Sequence, residues 1–241
     1  PGTGSIEWGP CVDAQAAPID IECGSITVPL DYDAPDGRLI DIAVARVATV
    51  YDDERIGSLV LNPGGPGASG IDFLQTVALV MPEEISRRFD LVSFDPRGVG
   101  ASTAVECDSA FDDDITLLDE GDDAGWDALV AEAEGQASTC TSDTIEIGSW
   151  LGTNNAARDL DEIRDAVGDD RLSYGGFSYG TRLGATYAEL FPDRVRALVL
   201  DGAVKPIDDF TELDAEQAAS LDRAFEQFAQ ECDADADCDL A

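Results

Sequence analysis

The chain has 241 residues, 44% of them hydrophobic, enough for a sizeable core in one large α/β domain or one domain with a partial second. Its 51 acidic residues against 14 basic ones give a net charge of −37, which argues against nucleic-acid and anionic-membrane binding. No apolar run reaches the roughly 20 residues of a membrane span, and no signal-peptide n-region and h-region is visible.

Residues 1–24 read as an irregular N-terminal extension, with PGTGS as the end of a flexible linker on a processed, excised or fragmentary chain. ITVPLDY (26–32) and LIDIAVARVATV (39–50) are rich in β-branched residues and predict two strands, joined by the APDG turn at 34–37 as a hairpin. SLVLNPGGPG (58–67) is an apolar run without alternation, which suits a strand buried on both faces, and it ends in a glycine-proline loop. A helix is predicted over 69–80, with Ser69 as its N-cap.

FDLVSFDPRG (89–98) repeats the scheme of strand and turn, and an internal salt bridge between Asp95 and Arg97 is expected to lock that turn. Residues 101–150 are acidic and alanine-rich, an excursion with one helix near 123–139. Apolar residues at 156, 160, 163 and 167 mark one face of a helix over 153–167. A short strand around RLSYGGF, a helix over 179–190, the strand 196–202 and a last helix over 212–231 complete the pattern. This is an α/β chain with a mainly parallel sheet and an antiparallel N-terminal hairpin, and the runs at 58–61, 90–94, 171–176 and 197–200 are its expected central strands.

Six cysteines stand at 11, 23, 107, 140, 232 and 238, without a CxxC pair and without any histidine in the chain. That is a poor metal set and a better fit to disulfides in an oxidising compartment. Of the 15 possible pairings, sequence neighbours suggest Cys11–Cys23, Cys107–Cys140 and Cys232–Cys238; free buried thiols are the alternative. Together with the acidic surface, they point to a location outside the cell or on the exterior of its envelope. DADADCD (233–239) resembles the start of a calcium loop but has Cys238 where glycine is needed, and FDDD (111–114) reads as a solvated run, so no metal and no cofactor is expected.

The chemistry is expected at GGFSYGTRLG (175–184). Gly176 and Gly180 flank Ser178 where a strand must turn sharply into a helix, so that the hydroxyl projects above the sheet. The helix N-terminus and the Tyr179 N–H can then face a developing oxyanion. A second donor should come from the loop after an earlier strand, and NPGGPGASG (62–70) offers the Gly65 N–H. No G-K-[ST] follows that loop, which sets aside phosphate binding.

CGSITVPLDY, LNPGGPGASG, FDPRGVGAS and GGFSYGTRLGATYAELFPDRVRALVLDG, in that order, resemble the secreted α/β-hydrolases of the tripeptidyl aminopeptidase type, relatives of proline iminopeptidase. The resemblance covers roughly residues 8–240. It implies an α/β-hydrolase fold with Ser178 as nucleophile and the Gly65 and Tyr179 amides as oxyanion hole. It also implies cleavage of short peptides from free N-termini, with ester hydrolysis in some members. The core is expected over 25–206 and the start of a helical cap over 207–241, the chain stopping before the cap ends. The triad order serine, acid, histidine puts both missing partners after Ala241, so this chain alone is expected to be nearly inactive. Lys205, the single lysine, is read as a surface charge and not as a substitute base, and Asp201 as a turn residue. The expected partner is a peptide or small ester. The alternatives are a non-catalytic binding protein on the same scaffold and a secreted esterase; oligomeric state is not legible.

Overall fold

Strands whose neighbouring residues are both apolar need cover on both faces, and the fold provides it. The computed structural model describes residues 5–11, 19–107, 123–205, 210–235 and 238. Seven strands form one sheet: β1 (Gly9–Pro10), β2 (Glu22–Pro29), β3 (Leu39–Val47), β4 (Gly57–Asn62), β5 (Phe89–Phe94), β6 (Leu172–Phe177) and β7 (Val195–Asp201). Their spatial order is β1-β2-β3-β5-β4-β6-β7. β1, β2, β3 and β5 pair antiparallel in sequence, whereas β5, β4, β6 and β7 run parallel.

The helices are α1 (Gly70–Val80), α2 (Glu83–Ser86), α3 (Asp123–Ala137), α4 (Ser142–Gly148), α5 (Thr153–Ala166), α6 (Tyr179–Leu190) and α7 (Phe210–Ala234). The two faces of the sheet carry separate cores. Val60, Val92 and Tyr174 pack with Leu160 and Ile163 of α5 and Leu183 and Tyr187 of α6. Leu61 and Leu91, one residue along, pack on the other face with Leu74 of α1. That is the period of two expected of a doubly covered strand. Ser69 caps α1 by accepting the Asp72 N–H at 3.1 Å.

Among the described residues β7 pairs with β6 on one side, and Val199 is 65% exposed. One expectation requires correction. It concerns Arg97, whose ion-pair partner is Asp159 of α5, not Asp95. α4, with Thr141 as its N-cap, was not expected within the excursion.

Cys11–Cys23, Cys107–Cys140 and Cys232–Cys238 are disulfide-bonded. The FDDD run (111–114), the PGTG start and positions 236, 237 and 239 of DADADCD lie outside the described residues. The chain divides into two compact units, Pro1–Ala203 and Val204–Ala241, the second built around α7.

Candidate active site

β6 stops at Phe177 and α6 starts at Tyr179, leaving Ser178 as the single residue of the turn. Ser178 has φ 52° and ψ −123°, and among the described residues it is the one non-glycine with positive φ. Such a conformation costs on the order of 1–3 kcal/mol and persists where surroundings enforce it. Here they do. The Ser178 N–H donates to the Asp201 carbonyl at 2.9 Å, and the Ser178 carbonyl accepts from the Thr181 N–H at 2.9 Å and the Thr181 hydroxyl at 2.6 Å. The side chain makes no capping bond to α6 and is exposed. The hydroxyl is therefore free to meet a substrate.

The flanking glycines are required by close approach. A Cβ on Gly176 would collide with the Gly180 carbonyl, and one on Gly180 would sit 2.7 Å from the Asn62 carbonyl oxygen. The Tyr174 phenol donates to the Gly180 carbonyl at 2.8 Å, and burial pushes its pKa well above the usual range, so it remains a donor. The Tyr179 phenol pairs with the Thr153 hydroxyl at 2.6 Å, tying the residue after the serine to the start of α5. Phe177, on the other side of the serine, meets Phe73 of α1 edge-on at 5.5 Å between centroids.

The glycine-proline loop lies against this turn. Gly64 (φ 98°) is buried, and a Cβ there would meet the Phe177 carbonyl, with the Tyr179 nitrogen 2.9 Å away and the Gly180 nitrogen 3.2 Å away. Gly65 (φ 108°) is the next residue and is exposed, like Ser178. Ser178, Tyr179 and the 62–67 loop thus meet at the ends of neighbouring parallel strands, β4 and β6.

Asp95 and Arg97, on the loop after β5, are buried and fully bonded. Asp95, 2% exposed, accepts from the Ser69 hydroxyl at 2.7 Å, the Ile71 N–H at 3.2 Å and the Ala101 N–H at 2.8 Å, which fixes the start of α1. Arg97 spends all five of its N–H donors: two on Asp159 (2.7 and 2.6 Å) and the others on the carbonyls of Leu30, Trp150 and Pro29. The Tyr32 phenol donates to the same Asp159 carboxylate at 2.7 Å. Burial raises the Asp159 pKa, and the Arg97 guanidinium and the Tyr32 phenol oppose that rise.

Asp201 ends β7 beside the turn and contributes its carbonyl to Ser178. Lys205 bonds to the carboxylates of Glu216 at 2.6 Å and Glu212 at 3.4 Å within the second unit, and the Glu216 hydrogen bond pushes its pKa up, the wrong direction for a base. Among the described residues no group of three His, Cys, Asp or Glu could hold a metal. Sequence reasoning missed Asn62, a buried polar residue at the end of β4. The signal was its place, an amide closing an apolar strand directly before PGGPG.

Residues 57–241 match the family described as the alpha/beta hydrolase fold, and the chain belongs to that family. It is 43% identical over 244 residues to the serine protease Hip1 of Mycobacterium tuberculosis, covering 98% of this chain and 46% of that protein. It is 41% identical over 211 residues to the tripeptidyl aminopeptidase of Streptomyces lividans (83% and 38% covered), and 38% identical over 243 residues to the carboxylesterase B of Mycobacterium tuberculosis (97% and 46% covered). The chain spans less than half the length of each of these relatives.

Proposed function

We propose that this chain carries the nucleophile of a serine hydrolase, an exopeptidase that releases short peptides from free N-termini through an acyl-enzyme on Ser178. The observation that carries the reading is the positive φ of an exposed serine whose following backbone nitrogen lies against Gly64, the residue before Gly65. Strain at a residue that makes no cap serves a chemical end better than a structural one. Similarity to a serine protease and a tripeptidyl aminopeptidase supports the peptide substrate.

In the proposed reaction Ser178 Oγ attacks the scissile carbonyl and passes its proton to a histidine. The carbonyl oxygen, now anionic, takes hydrogen bonds from the Tyr179 and Gly65 amides. The histidine returns the proton to the leaving amine, and water then releases the acyl group. The chain contains no histidine, so a histidine base has to come from residues outside these 241, and the triad order serine, acid, histidine leads us to expect the orienting acid there as well. The isolated chain is accordingly expected to be nearly inactive, since a missing triad member costs several orders of magnitude in rate. Three disulfides support a location outside the cell or on the exterior of its envelope.

An esterase is the second reading, favoured by the similarity to a carboxylesterase and by machinery that cleaves either bond. The test uses the complete product of the reading frame. It is labelled with a fluorophosphonate, and the adduct is mapped by peptide mass. Turnover is then compared on a tripeptide p-nitroanilide with a free amine, its N-acetylated form and a p-nitrophenyl ester. Labelling at Ser178 with selective cleavage of the free-amine peptide supports the exopeptidase; cleavage of the ester alone supports the esterase. No label at Ser178 in the complete protein refutes both.

A further inference from the structure

Asn62 sits where the two halves of the candidate oxyanion site meet, and its burial is hard to explain by stability. It is the last residue of β4, paired in register with Gly176 of β6, and it is 1% exposed. Its Oδ1 accepts the Gly64 N–H at 3.1 Å, which bends the loop over the turn. The same Oδ1 lies 2.8 Å from where a Cβ on Gly180 would stand, so the amide also fills the space beside the first turn of α6. Among the described residues the Gly64 N–H is the one hydrogen-bond partner of this side chain, and its Nδ2 donates to none of them. A buried donor without a partner is costly, and a leucine of similar volume would avoid that cost. What a leucine could not do is hold the Gly64 N–H.

From this we infer that Asn62 is a positioning residue: its side-chain oxygen fixes the Gly64–Gly65 backbone against the Tyr179 N–H and so sets the spacing of the two proposed oxyanion donors. The inference rests on the serine-hydrolase reading above. Asn62 touches no reacting atom. It acts through the loop, so its loss should be felt in the transition state, where the oxyanion forms, and little in ground-state binding.

The complete product of the reading frame is assayed with a free-amine tripeptide p-nitroanilide as wild type, Ser178→Ala, Asn62→Leu and Asn62→Ser. In Asn62→Leu, kcat is expected to fall about a hundredfold with KM changed less than about twofold and Tm within about 3 °C of wild type. Asn62→Ser, whose hydroxyl can accept the Gly64 N–H more weakly, is expected to recover about tenfold of that loss. If Asn62→Leu keeps its kcat while Ser178→Ala is dead, Asn62 sets nothing and the hydrolase reading survives alone. If kcat and Tm fall together in both Asn62 variants, the residue only holds the fold and the inference is overturned. If wild type is no faster than Ser178→Ala, the hydrolase reading fails and takes the inference with it.

Discussion

Replacing Arg97 by leucine tests the buried ion pair with Asp159. Arg97 and Asp159 have side chains 0% and 1% exposed, and the pair is bidentate. Removing the cation leaves a carboxylate in the core and takes the guanidinium donor from the carbonyls of Leu30, Trp150 and Pro29, of which Trp150 keeps the Asn155 amide. Breaking a buried pair from one side costs about 3–5 kcal/mol, a large part of the roughly 5–15 kcal/mol that holds a domain folded. For a unit of this size that lowers Tm by roughly 6–20 °C. Urea unfolding followed by tryptophan fluorescence measures it, with Trp8 and Trp150 packed against the core as reporters. The deficit should also depend on pH. Without Arg97 the folded-state pKa of Asp159 rises further above its unfolded value, so the variant regains stability as pH falls and loses it as pH rises through that folded pKa. Adding Asp159→Leu should restore at least about 1 kcal/mol, because no buried charge remains. A single variant that loses less than about 1 kcal/mol at neutral pH, with no pH dependence, would refute the buried pair.

Ser178→Gly should stabilise the chain by about 1 kcal/mol, while Ser178→Ala should not, because glycine alone relieves the positive φ; differential scanning calorimetry separates them. Gly180→Ala should destabilise by about 1–3 kcal/mol, since its methyl would stand 2.7 Å from the Asn62 carbonyl oxygen, and an unchanged Tm would show that β4 and α6 are further apart. The phenols of Tyr32, Tyr174 and Tyr187 are pushed up by burial, with Asp159 adding to the first, Tyr179 to the second and Asp161 to the third. Absorbance at alkaline pH should therefore show at least these three of the five tyrosines silent until the protein unfolds. Unfolded phenols ionise near about pH 10, so stability should fall as pH rises above that value; early ionisation of all five would contradict the described burial.

The sequence by itself determined the local part of this protein. Apolar runs without alternation marked β4, β5 and β6 as doubly covered strands, because both faces of each are packed. The spacing 156, 160, 163 marked the buried face of α5, and Ser69 announced the cap of α1. Ser178 was legible because a turn that tight demands small residues two places to either side, and glycine leaves a visible trace. Partners distant in sequence left no such trace. Arg97 had an acid two residues away, yet its guanidinium reaches an aspartate 62 positions on, which only the packing of α5 against the sheet brings near. Asn62 read as the first residue of the loop 62–70 until the fold made it the end of β4 and laid that strand beside β6, and with it the amide beside the turn that carries Ser178.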